Sequence, residues 1–221
     1  MKEQYWNEDT IGEVTASMLS SIQQKLRPRE LQLKSGRIAL LVLDMQNYFL
    51  HRDSHAFIPS AQAIIPAITQ LRDACTEHGY PVICTRHVNT SEDARQMSQW
   101  WNDVITVENP LSGIISPYSE NPSNIIVKTQ YDAFHGTTLD RTLRELHVEQ
   151  IIVTGVMTHL CCESTARSAF MHGYEVIFPI DGTATYRKEF HEATLLNLSH
   201  GFAHIVTIHS LLQMLTALNF R

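Results

Sequence analysis

The chain has 221 residues, 43% of them hydrophobic, and a formal net charge of −6. That length supports one domain with a substantial core. The acidic balance, with no basic run, argues against nucleic acid or an acidic membrane surface as a partner.

Residues 1–36 are polar and read as an N-terminal extension, laid against the domain or a neighbouring subunit. Amphipathic helical spacing runs over residues 11–26 and stops at Arg27-Pro28, because the residue before a proline disfavours helix. From residue 37 to 221 the pattern alternates as one domain. IALLVL at 38–43 is a continuous apolar run, as expected of a strand buried on both faces. Helical spacing over 61–78 ends at Gly79. PVICT at 81–85 is strand-like, and 91–122 is irregular, with room for one short helix. Then come strand 124–128, helix 138–146, strand 150–154, helix 160–172, strand 174–178, helix 188–200, strand 204–207 and helix 210–218. Six strands alternating with helices predict an α/β fold: a three-layer α/β/α, Rossmann-like arrangement around a six-stranded parallel sheet. The Asp181-Gly182-Thr183 stretch reads as a turn.

Cys75, Cys84, Cys161 and Cys162 fit neither a disulfide framework nor a CxxC zinc site, which points to a reducing compartment. The N-terminus MKEQYWNEDT lacks the apolar region of a signal peptide, and no apolar run approaches the roughly 20 residues that span a bilayer. The expectation is a cytoplasmic protein without a membrane partner. The 12 histidines are scattered without close ligand spacing, so neither a metal nor another cofactor is expected.

In parallel sheets, sites form beyond the carboxyl ends of the strands. Three reactive residues stand there. Asp44 follows the first strand in IALLVLDMQNYF, Lys128 ends the third in NIIVKTQYDAFHGTTLD, and Cys161 follows the fourth, six residues after Gly155. Taken singly, such an acid commonly caps a helix, such a lysine reaches solvent and such a cysteine packs a core. Together they supply parts that need one another. Only a thiolate attacks well, a carboxylate can take the thiol proton and return it to a leaving group, and an ammonium keeps the carboxylate ionised. A lysine and a helix N-terminus beside Cys161 are both expected to favour its thiolate.

The stretches LLVLDMQNYF, VKTQYDAFHGTTLD and VTGVMTHLCCESTARSAFMHGYEV resemble the isochorismatase-like hydrolase family, in its cysteine hydrolase branch, from about Arg37 onward. The resemblance implies a catalytic triad of Asp44, Lys128 and Cys161, with Cys161 as nucleophile and Cys162 as a buried neighbour. It implies a cis peptide between Val156 and Met157, and an oxyanion hole formed by the backbone N–H groups of Met157 and Cys161. It also implies a homo-oligomer, a dimer or tetramer. Metal-binding members carry a D-x-H pattern after the second strand. Here that strand reads PVICTRHVN, and Asp53-Ser54-His55, after the first strand, reads as a solvated loop.

The implied reaction is hydrolysis of a small amide or related C–N bond through a thioester. Two alternatives stand beside it: vinyl ether hydrolysis with Asp44 as general acid, and a non-catalytic binding protein on the same fold. Candidate residues for binding the small-molecule substrate are Gln46, which follows Asp44 by two residues and is expected to orient it, together with His87, Trp100, Tyr131, Phe134 and His159.

Overall fold

The computed structural model describes residues 2–25, 29–101, 103–121 and 124–218. Its centre is a parallel sheet built from β1 (Ile38–Leu43), β2 (Val82–His87), β3 (Ile125–Lys128), β4 (Gln150–Val156), β5 (Glu175–Pro179), β6 (Thr183–Ala184) and β7 (Ala203–Val206). The strand order is β3-β2-β1-β4-β5-β7, with β6 pairing β4. The apolar runs explain the middle of that order. Every residue of β1 and β4 is buried, and the two strands pair along Ile38 to Leu43. The expected six strands all form. The addition is β6, whose two residues are too short to leave a periodic signal.

The helices are α1 (Ile11–Lys25), α2 (Asn47–Leu50), α3 (Ile65–Glu77), α4 (Met97–Trp100), α5 (Leu139–Glu145), α6 (Glu163–Met171), α7 (Lys188–Gly201) and α8 (Ile208–Leu218). They flank the sheet: α3 packs on β1, β2 and α8, while α6 packs on β4, β5 and α7. The expected helix over 61–78 divides into a 3-10 segment, Pro59–Ile64, and α3. Pro66 falls in the first turn of α3, where its missing N–H costs no helical bond. The irregular stretch 91–122 contains the one-turn α4, and α2 carries no pattern long enough to read. No helix among the described residues is long and apolar enough to cross a membrane.

The N-terminal segment lies on its own domain. Trp6 is buried and donates its indole N–H to Ser60 O at 3.0 Å, and Tyr5 N–H donates to Ser60 Oγ at 2.9 Å. Glu3 N–H donates to Tyr186 O at 2.9 Å. The expected stop at Arg27-Pro28 lies outside the described residues.

One close approach sets the geometry at the top of the two central strands. Gly155 has φ +106°, and a Cβ there would lie 2.0 Å from Leu43 O, a backbone atom. Only glycine lets β4 pass β1 at the residue before Asp44. Gly155→Ala is expected to destabilise the protein by roughly 3 kcal/mol or more. Gly12→Ala, in α1 with open space around it, should stabilise slightly. Urea unfolding of the two variants checks both outcomes.

Candidate active site

Three strand ends bring three reactive side chains to one point. Asp44 leaves β1 with φ +51°, turning the chain out of the strand. Its N–H donates to Thr85 O and Thr85 Oγ1 on β2, and Thr85 Oγ1 donates to Asp44 Oδ1 at 2.6 Å. Lys128, the last residue of β3, is fully buried and places Nζ 2.8 Å from Asp44 Oδ2. Gln130 O at 2.9 Å, Tyr131 O at 3.2 Å, His87 Nδ1 at 3.3 Å and Cys161 Sγ at 3.4 Å also surround the ammonium and share its three N–H bonds with Asp44. Besides Lys128 and Thr85, the Cys161 thiol is the group that hydrogen-bonds the Asp44 carboxylate. The carboxylate is the acceptor for a proton from Cys161, whose sulfur lies within 4.8 Å of it.

Cys161 sits in a π-helical turn, Thr158–Cys162, placed before α6 rather than within it. The Val156–Met157 peptide entering that turn is cis. Met157 O accepts from Leu160 N–H at 3.1 Å and Cys162 N–H at 3.2 Å, which winds the turn around Met157. Met157 and Cys161 both border a cavity of about 260 Å³. Cys162 is wholly buried and lies against the Thr154 carbonyl instead.

The charge states follow from this packing. Burial pushes the Asp44 carboxyl up, but the Lys128 ammonium and the hydrogen bonds outweigh it and hold Asp44 below the usual carboxylate range. Burial pushes Lys128 down, but Asp44 first, then Cys161, hold it above its ordinary value. The thiol behaves differently. Burial pushes Cys161 up to about 12; Lys128 lowers it and Asp44 raises it. Lys128 does favour the thiolate, as expected, but burial outweighs it, so the resting set is carboxylate, ammonium and thiol. His87 Nδ1 accepts from Lys128 Nζ at 3.3 Å, so its proton is on Nε2, which donates to Asn89 Oδ1 at 2.9 Å. Burial, then Lys128, lower His87 to about 4, so it is neutral.

Of the six residues expected to bind substrate, His87 and Tyr131 border the cavity. Four do not. Gln46 turns away from the Asp44 carboxylate, which Thr85 holds instead. Its side chain accepts from His87 N–H at 2.8 Å and donates to His87 O at 3.0 Å and Ser112 O at 2.8 Å, clamping β2 to a loop. Trp100 ends α4 with 79% of its surface exposed. Its neighbour Trp101 leaves the helix in an extended conformation, donates its indole N–H to Tyr131 Oη at 2.7 Å and borders the cavity. Phe134 is core, stacked on His172 and Tyr174 at 4.8 and 5.9 Å. His159 faces Thr185 Oγ1, 2.6 Å from its Nδ1, and stacks on Phe190.

Sequence reasoning missed Tyr48, Phe49 and Leu160 in the walls, and Lys2 and Tyr186 at the same cavity. The apolar positions of α2 are a signal for the first two. Nothing in the sequence links residue 2 to the strand ends.

The expectation for Asp53-Ser54-His55 divides. Asp53 is exposed on a loop, but His55 turns to the cavity with Nε2 2.6 Å from Tyr48 Oη and 3.4 Å from Asp103 Oδ2. The two therefore do not converge as metal ligands. Asp44, His87 and Cys161 do converge, with their ligand atoms within 4.8 Å of one another. That set already surrounds a cation, the Lys128 ammonium, which is within 3.4 Å of all three. A dication would have to enter against that charge, so these residues do not fit a metal centre.

A family model described as isochorismatase domain matches residues 38–210. The chain is 38% identical to nicotinamidase 3 of Arabidopsis thaliana over 203 residues, covering 90% of this chain and 98% of that protein. It is 29% identical to enterobactin synthase component B of Escherichia coli over 179 residues, 80% of this chain and 62% of that longer protein. The fold matches a cysteine hydrolase from Pseudomonas syringae with a TM-score of 0.80 at 23% identity, over 87% of this chain and 98% of that one.

Two outcomes follow from the charge states. Alkylation of Cys161 by iodoacetamide at pH 8 should be at least about 100-fold slower than that of a free thiol, and should keep rising above pH 10; peptide-resolved mass spectrometry reads both. The ion pair should stabilise the fold between the acid and alkaline limits. Its Asp44 share is lost as pH falls through the depressed folded value, and its Lys128 share is lost as pH rises through the raised one. Removing either partner alone should cost about 3–5 kcal/mol in chemical denaturation at neutral pH, and replacing both with apolar residues should cost less than the two single losses together.

Proposed function

The chain belongs to the isochorismatase-domain family, and from that premise we propose that it hydrolyses a small amide, or a related C–N bond, through a thioester on Cys161. One observation carries the reading: behind Cys161, which borders the cavity, a buried ammonium stands 2.8 Å from a carboxylate and 3.4 Å from the thiol.

With the thiol raised and the carboxyl depressed, a resting thiolate beside a protonated Asp44 is strongly disfavoured. Proton transfer to Asp44 is therefore coupled to attack. As Asp44 takes the thiol proton, the sulfur electron pair forms the S–C bond and the carbonyl π pair moves onto oxygen. The N–H groups of Met157 and Cys161 receive that oxyanion. Asp44 returns the proton to the nitrogen as the C–N bond breaks and the amine departs. Water then attacks the thioester, gives a proton to Asp44, and the acid leaves as the C–S bond breaks and the thiol is restored. Lys128 keeps Asp44 ionised between steps and spreads positive potential over the sulfur. An oxyanion donor of this kind is typically worth about 10²–10³ in turnover.

The same charge states weigh against vinyl ether hydrolysis. An Asp44 held below the ordinary carboxylate range has no proton to give at neutral pH. A non-catalytic binding role leaves unexplained why an ion pair should be buried against a thiol at the cavity's edge.

Cys161→Ala should lower turnover of small amides by at least about a thousandfold, while Cys162→Ala keeps most of it and loses about 1–2 kcal/mol of stability. Intact-mass spectrometry during turnover should show an acyl group on Cys161. Activity on isochorismate that survives Cys161→Ala, with no amide turned over by the wild type, would establish the vinyl ether chemistry instead. Turnover should also persist after chelation. Loss on chelation with recovery on adding zinc would overturn the metal-free reading.

A further inference from the structure

The domain match begins at residue 38, yet residue 2 borders the same cavity as Cys161. This placement is held by a chain of specific bonds. Trp6 and Tyr5 are fixed on Ser60, and Thr185 N–H donates to Tyr5 Oη at 3.0 Å. Glu3 bonds Tyr186 O through its N–H and accepts from Lys188 N–H through its carboxylate. These anchors lie on two elements that pack against each other, the 3-10 segment Pro59–Ile64 and the chain that follows β6. They hold the segment as a strap and deliver the Lys2 side chain to the rim. There its Nζ donates to His55 O and lies 4.4 Å from the centre of the Tyr186 ring.

The charge is placed without an anion. Among the described residues, no carboxylate forms an ion pair with Lys2. The acidic residue at the rim, Asp103, is engaged by Tyr48 Oη at 3.1 Å and His55 Nε2 at 3.4 Å. A carbonyl and an aromatic face stabilise an ammonium only partly. We propose that Lys2 is a specificity-determining residue of this site: it receives a carboxylate carried by the substrate at the end away from the bond that is cut. The class of substrate is then a small monoamide or ureide that also bears a carboxylate. Burial holds the Lys2 ammonium below its ordinary value, and an arriving carboxylate would restore it, so affinity for such a ligand should fall at alkaline pH and at high salt. This inference rests on the amide reading above for the orientation of the substrate, but the binding preference can be measured without turnover.

The test uses the full chain carrying Cys161→Ala, with monoamides of dicarboxylic acids of three to six carbons as probes. Each is paired with an uncharged monoamide of equal length, and binding is followed by calorimetry. At low salt at least one charged probe should bind about tenfold tighter than its neutral partner. Lys2→Met should abolish that preference, Lys2→Arg should keep it, and Lys2→Glu should reverse it. No preference at any length, a preference that survives Lys2→Met, or tighter binding of the neutral probes would overturn the proposal. A separate assay of the same monoamides with wild type tests the hydrolytic reading. Bound charged probes that are never hydrolysed would sink that reading and leave the role of Lys2 standing.

Discussion

A carboxylate and an ammonium 2.8 Å apart, both withdrawn from water, need compensation on every side. Asp44 and Lys128 find it in groups that belong to different strands and loops: Thr85 on β2, the carbonyls of Gln130 and Tyr131, and the sulfur of Cys161. Each of these partners is fixed by the pair as much as it fixes the pair. The carbonyls of 130 and 131 are turned inward by the ammonium, and Tyr131 is thereby set where its hydroxyl can accept from Trp101. The position of one cavity wall thus follows from the charge buried behind the cavity.

Burial, more than the pair itself, keeps the thiol protonated. A burial strong enough to exclude water raises any thiol, and here the carboxylate partly opposes the help that the lysine gives. A free thiolate would be reactive toward any electrophile that entered. In the proposed reaction, holding the proton on sulfur until a carbonyl is in place would restrict reaction to ligands that fit the cavity and meet the proposed N–H donors. Reactivity is then a property of the complex rather than of the resting protein.

The parts that were legible in the sequence are those carried by continuous runs. IALLVL is apolar throughout, and QIIVT through its centre, because β1 and β4 are covered on both faces, and that pattern orders the fold and locates Asp44. Residues reached through irregular backbone were legible only in part: Tyr131 borders the cavity as expected, and several others do not. Trp100 and Trp101 are adjacent and chemically alike, and which one meets the cavity depends on where α4 stops. Gln46 is two residues from Asp44, yet a sharp turn at Asp44 sends it to His87 and Ser112. Phe134 and His159 stand beside site residues in the chain and face the opposite way. Short sequence distance is a poor guide where the chain reverses direction within two residues.

The reactive groups and the walls therefore have different origins. The reactive groups come from strand ends within the matched domain, held by register, by the Gly155 approach to Leu43 and by the ion pair. Few substitutions there are compatible with both packing and charge. The walls come from α2, the loop after α4, the turn before α7 and the N-terminal strap, where side chains can change without disturbing the sheet. Relatives that share the reactive groups can share a way of cutting bonds and still differ in what they admit. For this chain, selectivity is to be sought in Tyr48, Trp101, Tyr186 and Lys2, since in the proposed reaction Asp44, Lys128 and Cys161 act only at the bond being broken.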